Sequence, residues 1–155
     1  MANTYKKVYL HIIFAVKNRN AILHQSWRPK LFSYMSGVLT RRGHYSLAVN
    51  GHVDHVHLLL DYSLEELIPD LVREIKKASS RYIIQENLSP YKFEWQSGYG
   101  VFSVGWKEKK IVQEYVLNQE QHHNSHSFQN EYYSLLNEYN IDFKDEYVFE
   151  FFYPQ

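Results

Sequence analysis

The middle of this chain constrains its fold most. Two extended stretches, residues 44–50 and 55–62, are separated only by residues 51–54, where Gly51-His52-Val53 turns the chain, and lie between two stretches of helical periodicity. Strands joined by so short a turn pair as an antiparallel hairpin. In the first of them Tyr45, Leu47 and Val49 alternate with polar neighbours, the pattern of a half-exposed strand. Before the hairpin, residues 8–16 are β-branched and aromatic and read as a buried strand. Residues 27–42 follow, with Leu31, Tyr34, Met35, Val38 and Leu39 on one helical stripe and Gly43 placed to end it. After the hairpin, Ser63-Leu64-Glu65-Glu66 has the form of a capping box. It predicts a helix running to about residue 86, with Leu67, Leu71, Ile75 and Ala78 on its apolar side. Residues 87–92, with Pro90, read as a loop, and Gly98-Tyr99-Gly100 as a turn into the strand Val101-Phe102-Ser103-Val104. A third helix is predicted over 107–121 and a short one over 129–139, before an extended aromatic tail at 141–152. The order is βαββαβ followed by helices. It predicts an α+β fold of the ferredoxin-like or RNA-recognition type, an antiparallel sheet with helices packed on it and a C-terminal helical extension.

Composition narrows the setting. The chain has 155 residues, enough for one domain with a real core. It contains no cysteine, which excludes disulfides and thiolate metal sites and gives no argument for secretion. The longest apolar runs are far too short to span a bilayer and the first nine residues lack the core of a signal peptide, so the expectation is a cytoplasmic protein with no membrane partner. Net charge is zero but unevenly placed. Residues 1–126 hold 16 Lys and Arg against 11 Asp and Glu, whereas residues 127–155 hold Lys144 against six acidic residues. A basic body with an acidic tail is compatible with nucleic-acid binding. It is equally what two ordinary solvated surfaces look like.

The residues that suggest chemistry are few. His55 and His57 project from one face of the second hairpin strand, while Val56 and Leu58 point to the other. Two imidazoles so spaced can hold one cation, with Asp54 as a partner that orients them. With nine histidines in the chain, an isolated His-x-His is also readily met by chance. In the third helix Ile111, Val112, Tyr115, Val116 and Gln119 share a stripe predicted to face the sheet. An amide on that stripe needs a partner. A metal held by His55 and His57 is such a partner, and a nitrogen and amide-oxygen set with open positions suits Mg2+ or Mn2+. Taken singly, Tyr115 reads as one more core aromatic among fourteen tyrosines and Gln119 as a helix-end hydrogen bonder. His122 and His126, four residues apart, are a rival pair, although their place at a helix C-terminus equally suits cationic imidazoles.

Four ordered segments supply the context: HIIFAVK at 11–17, DHVHLL at 54–59, WQSGYGVFSV at 95–104 and YVLNQEQHH at 115–123. Over residues 5–126 the chain resembles the single-tyrosine transposases of the HUH type (IS200-like), found on small bacterial insertion sequences, and their domesticated relatives. The resemblance implies that His55, His57 and Gln119 are metal ligands and that Tyr115 is the nucleophile. It implies an enzyme that cleaves and rejoins single-stranded DNA with hairpin ends through a 5′-phosphotyrosine. It also implies a homodimer, in which the tyrosine helix can serve the partner's histidines. Residues 1–126 are expected to form the transposase domain and 127–155 an acidic, aromatic extension packed on it. Gly105-Trp106-Lys107 departs from the small polar residues many relatives carry there. A non-catalytic RNA-recognition-like module, stacking bases on Tyr45, Trp95, Tyr99 and Phe102, is the competing reading, but it has no need of Tyr115 in register with the histidines. Arg73, Lys76, Lys77 and Arg81 share one face of the second helix and are expected to bind DNA backbone or to form an ordinary solvated face.

Overall fold

Residues 9–15 are apolar or aromatic at every position except His11, and they form strand β1 (Tyr9–Ala15), buried throughout. A strand of this kind needs cover on both of its faces. The computed structural model describes residues 3–152; residues 1–2 and 153–155, which the expected segments 1–126 and 127–155 include, lie outside it. β2 (Tyr45–Gly51), β3 (His55–Asp61) and β4 (Gly100–Val104) complete one antiparallel sheet in the order β2-β3-β1-β4. Helix α1 (Arg28–Arg41) links β1 to β2 and α2 (Ile68–Gln85) links β3 to β4, so each connection passes over one intervening strand. This is the βαββαβ arrangement expected from the sequence.

Register sorts the side chains. His11 pairs with Leu59 and Ile13 with His57, so Tyr9, His11, His55, His57 and Leu59 share one face. Leu10, Ile12, Phe14, Val56, Leu58 and Leu60 face the other way, onto Leu31, Met35 and Leu39 of α1 and Leu71 and Ile75 of α2. Each such side chain, fully buried, contributes roughly 1.5–3 kcal/mol. The histidine face is covered by α3 (Lys109–Leu117), whose Val112 and Val116 pack on Tyr9, Ala48, Leu59 and Val104. Two short elements follow, α4 (Gln119–His122) and α5 (Phe128–Glu138), the latter burying Phe128, Tyr132 and Leu136. Among the described residues, no helix is long and apolar enough to cross a membrane.

Three local expectations are corrected. The capping box does not form. Leu64 adopts a positive φ of 72°, Ser63 Oγ accepts from the nearby Glu65 amide, and the carboxylate of Glu66 turns to Arg42 and His44. The helix starts at Ile68 instead, with Pro69 in its first turn, where a missing N–H costs nothing. The third helix is not continuous but breaks at Asn118, whose backbone (φ −99°, ψ 24°) leaves the helical region. Ile111, expected to face inward, is 69% exposed because the buried stripe of α3 is centred on Val112 and Val116.

Candidate active site

β3 delivers His55 and His57 to the centre of the sheet, both fully buried. Their Nδ1 atoms are engaged from behind. His55 Nδ1 donates to Asp54 Oδ1 at 2.8 Å, the partner expected from the sequence, and His57 Nδ1 is hydrogen-bonded to His11 Nε2 at 2.7 Å. Both Nε2 atoms are left facing α4 and α5. A carboxylate or imidazole behind a ring fixes its orientation and determines which nitrogen is offered in front. Phe128 stacks flat on His55, with ring centroids 3.9 Å apart and planes within 1°.

Two side-chain hydrogen bonds moor α3 to the edge strand. Gln113 Nε2 donates to the carbonyl of Leu47, at the bulge in β2, and Asn50 Nδ2 donates to the last carbonyl of α3, that of Leu117. The first sets the helix's rotation, and the second satisfies an orphan carbonyl at its end. So placed, Tyr115 meets His57 edge-on, with centroids 5.8 Å apart. The break at Asn118 then turns Gln119 inward, where it is fully buried and its Oε1 lies 3.1 Å from His55 Nε2. The structure thus brings His55, His57, Tyr115 and Gln119 together within one chain.

At the centre of this group stands a residue the motif reading missed. Glu131 of α5 has a side chain only 2% exposed. Its Oε1 is 3.1 Å from His57 Nε2 and 3.3 Å from His55 Nε2. Its Oε2 accepts hydrogen bonds from the Tyr115 hydroxyl and, at 3.1 Å, from Gln119 Nε2. His122 and His123 also lie within 3.4 Å of its oxygens. The signal was present in the sequence: Glu131 sits on the apolar stripe of Phe128, Tyr132 and Leu135, and a lone carboxylate on a buried face must have a partner. His11, a lone imidazole inside the apolar strand β1, carries the same kind of signal. The donors of His55, His57 and Glu131 converge closely enough to hold one metal ion, and those of His122, His123 and Glu131 form a second such group.

The electrostatics follow from two buried carboxylates, Glu131 and Asp54, among imidazoles. Burial works to raise the Glu131 pKa, but the surrounding histidines, His57 foremost, hold it far below the carboxylate range. Burial alone would lower His55, yet its bonds to Asp54 and Glu131 push it up to about 9. His57 and His11 are lowered, mainly by burial. Burial and then the Glu131 charge push the Tyr115 phenol well above its ordinary value. A cleft of about 350 Å3 between α3 and α5, lined by His11, Ile111, Tyr115, His122 and Leu135, gives access to the tyrosine.

The four cations of α2 do not form the exposed cluster expected of them. Lys76 turns inward and donates to the carbonyls of Gln96 (2.9 Å) and Gly98 (2.7 Å), above the Phe14 ring. Arg73 pairs with Asp70 and Glu74. Lys77 and Arg81 are exposed and, among the described residues, form no ion pair. All four lie on the sheet face opposite the histidines, because α2 packs on the side of Phe14 and Leu58. On the histidine face, Lys109 lies over the rings of Tyr9 and Trp106.

Comparison with known proteins bears on the fold and the family. The family model described as IS200-like transposase matches residues 4–119. The chain is 27% identical to the ISDra2 transposase TnpA of Deinococcus radiodurans over 115 residues, which cover 70% of this chain and 81% of that protein. A crystal structure described as a transposase from Deinococcus radiodurans superposes with a TM-score of 0.60 at 27% identity, covering 77% of this chain and 95% of the other. A REP-associated tyrosine transposase, solved bound to a REP hairpin, shares the fold with a TM-score of 0.57 at 17% identity, covering 79% of this chain and 73% of the other. With residues 4–119 matched by the family model and the fold shared with a solved transposase at 27% identity, the chain belongs to the IS200-like transposase family.

Proposed function

We propose that this protein cleaves and rejoins single-stranded DNA, with Tyr115 as nucleophile and a divalent metal held at the histidine pair. The observation that carries the reading is Tyr115 edge-on to His57, beside a cleft open to substrate, within a single chain. His55 and His57 would hold Mg2+ or Mn2+ through their inward Nε2 atoms, with the Gln119 carbonyl oxygen in reach. The donor chemistry fits such an ion. Both Nδ1 atoms are already taken by Asp54 and His11, and the facing atoms are nitrogen and oxygen with no thiolate. When bound, the metal supplies positive charge that offsets charge developing on the phosphate oxygens.

The rest falls to the chain's own residues. Tyr115 Oη attacks the phosphorus in line, forming a phosphotyrosine on the 5′ side and releasing a 3′-hydroxyl. The phenolic proton is formally transferred to the departing 3′ oxygen. A second 3′-hydroxyl reverses the step and rejoins strands, so bond energy is conserved without a nucleotide cofactor. His11 and Asp54 hold the imidazoles in place throughout. Residues 1–126 serve as the transposase domain and 127–155 as an extension of it, acting in the cytoplasm on DNA with hairpin ends. That the REP-associated neighbour was solved on a hairpin supports this substrate. Lys77 and Arg81, with Lys107 and Lys110 on the histidine face, are exposed cations available to meet backbone phosphates. A homodimer paired through the open edge of β2, where Tyr45 is 69% exposed, completes the proposal.

The test is incubation with labelled single-stranded DNA from the gene's own flanks and Mn2+ or Mg2+, read on a denaturing gel. Wild type should give a protein–DNA adduct and Tyr115→Phe none, with DNA binding retained. An adduct that persists in Tyr115→Phe removes the nucleophile assignment.

A further inference from the structure

Glu131 lies twelve residues beyond the end of the family match, on a helix that the matched region does not include. It is nevertheless the carboxylate on which the site converges. We propose that Glu131 is the third protein ligand of the metal, supplied by the C-terminal extension, and that its second oxygen seats the Tyr115 hydroxyl beside the metal. The inference rests on the metal-dependent reading above and changes its ligand set.

Three observations carry it. The first is the spacing. Glu131 Oε1 is 3.1 Å from His57 Nε2 and 3.3 Å from His55 Nε2. Neighbouring ligands around an octahedral ion with bonds of about 2.1 Å stand roughly 3.0 Å apart. The second is where Gln119 puts its amide. Its Oε1 is already shared between His123 Nε2 (3.0 Å) and His55 Nε2 (3.1 Å), while its Nε2 donates to Glu131 Oε2. Gln119 therefore acts as a positioning residue for the carboxylate. The third is the scaffold. Ser127 caps α5 by accepting from the Asn130 amide, Phe128 stacks on His55, and Tyr132 packs against Phe102. Glu131 lies between those two aromatics, so its carboxylate is carried on a fixed helix face rather than on a loop.

The chemistry favours this assignment. A buried carboxylate costs several kcal/mol unless opposite charge compensates it. A divalent ion supplies two units of that charge, where a protonated His55 supplies one. Mg2+ and Mn2+ also prefer an anionic oxygen to a neutral amide. With Oε1 toward the metal and Oε2 accepting from the Tyr115 hydroxyl, one carboxylate spans metal and nucleophile. The site is then complete within one chain, because the extension brings the last ligand.

The experiment uses the full chain with Mn2+ and no DNA. Glutamate 13C-labelled at the side-chain carboxyl is incorporated by cell-free synthesis, so glutamine stays unlabelled. Electron–nuclear double resonance should show coupling of Mn2+ to 14N of two histidines and to a 13C carboxylate. The 13C coupling should vanish in Glu131→Gln and persist in Gln119→Ala, with the 14N couplings present in both. Mn2+ affinity should fall at least about tenfold in Glu131→Gln. If wild type shows both 14N couplings but no 13C coupling, the ligand assignment is overturned and the metal reading stands. If wild type shows no 14N coupling at all, both fall. The wild-type spectrum decides the matter even if a variant folds poorly.

Discussion

Replacing Lys76 with alanine separates two roles that its place on α2 allows. As a phosphate contact, Lys76 would matter to DNA and hardly to the fold. The structure puts its Nζ 2.9 Å from the Gln96 carbonyl and 2.7 Å from that of Gly98, and 5.4 Å from the centre of the Phe14 ring. Burial lowers its pKa to about 8, so at neutral pH it is still charged and donates both bonds. A hydrogen bond from a charged donor is worth about 1.5–3 kcal/mol. The Gly98 carbonyl is exposed and can turn to water, so only one of the two counts in full. The ring contact adds roughly 0.5–1 kcal/mol, and the desolvation that Lys76 already bears offsets part of the sum. A net loss of about 2 kcal/mol is expected, or a fall of roughly 4–8 °C in melting temperature for a chain of this size. Urea and thermal unfolding measure it. In parallel, the slope of log K against log salt for single-stranded DNA should stay unchanged in Lys76→Ala and lose about 0.7 in Lys77→Ala. Unchanged stability together with a shallower salt slope in Lys76→Ala would refute the structural role and put this side chain on the DNA.

Three further outcomes are expected. Arg42 holds the Glu66 carboxyl below its ordinary pKa against the opposing effect of burial, with His44 adding to the pull. A depressed carboxylate stabilises the fold above its unfolded pKa of about 4.3 and loses that contribution as pH falls through the folded value. Glu66→Gln should therefore cost about 1–2 kcal/mol at pH 7 and progressively less toward pH 3, by urea unfolding at each pH; an equal cost at both ends would contradict the ion pair. Gly51→Ala would drive its Cβ into the His55 carbonyl oxygen and to 2.9 Å from Val56 Cα, so roughly 2–4 kcal/mol of stability should be lost and the histidine strand displaced; a variant that melts like wild type would mean the turn is looser than this. Because tyrosine and histidines meet within one chain, mixing Tyr115→Phe with His57→Ala subunits should restore no cleavage, whereas recovered adduct would show that the tyrosine serves a partner's histidines.

How much of this could be read beforehand depends on the range of the interactions involved. Strand alternation fixed the face of His55 and His57, and helical spacing put Tyr115 on the inner side of α3, whereas Gln119 comes inward through the break at Asn118. Both periods are properties of the backbone alone, so the order of elements and the pairing of roles were legible in the residues. Local signals misled where a distant partner outbid them. Ser63 and Glu66 have the form of a capping box, but Glu66 is held by Arg42 and His44 from another part of the chain. Lys76 looked solvated because the carbonyls it serves lie twenty residues away. The exclusion of thiolate chemistry, the hairpin, and the histidine and tyrosine motifs were determined by sequence. That Glu131 stands at the centre of the site, that His11 braces His57, and that α2 lies behind the sheet were decided by tertiary structure. Spacing along the chain marks Glu131 as buried and in need of a partner, but which partner it meets depends on which elements pack on which face, and no spacing encodes that.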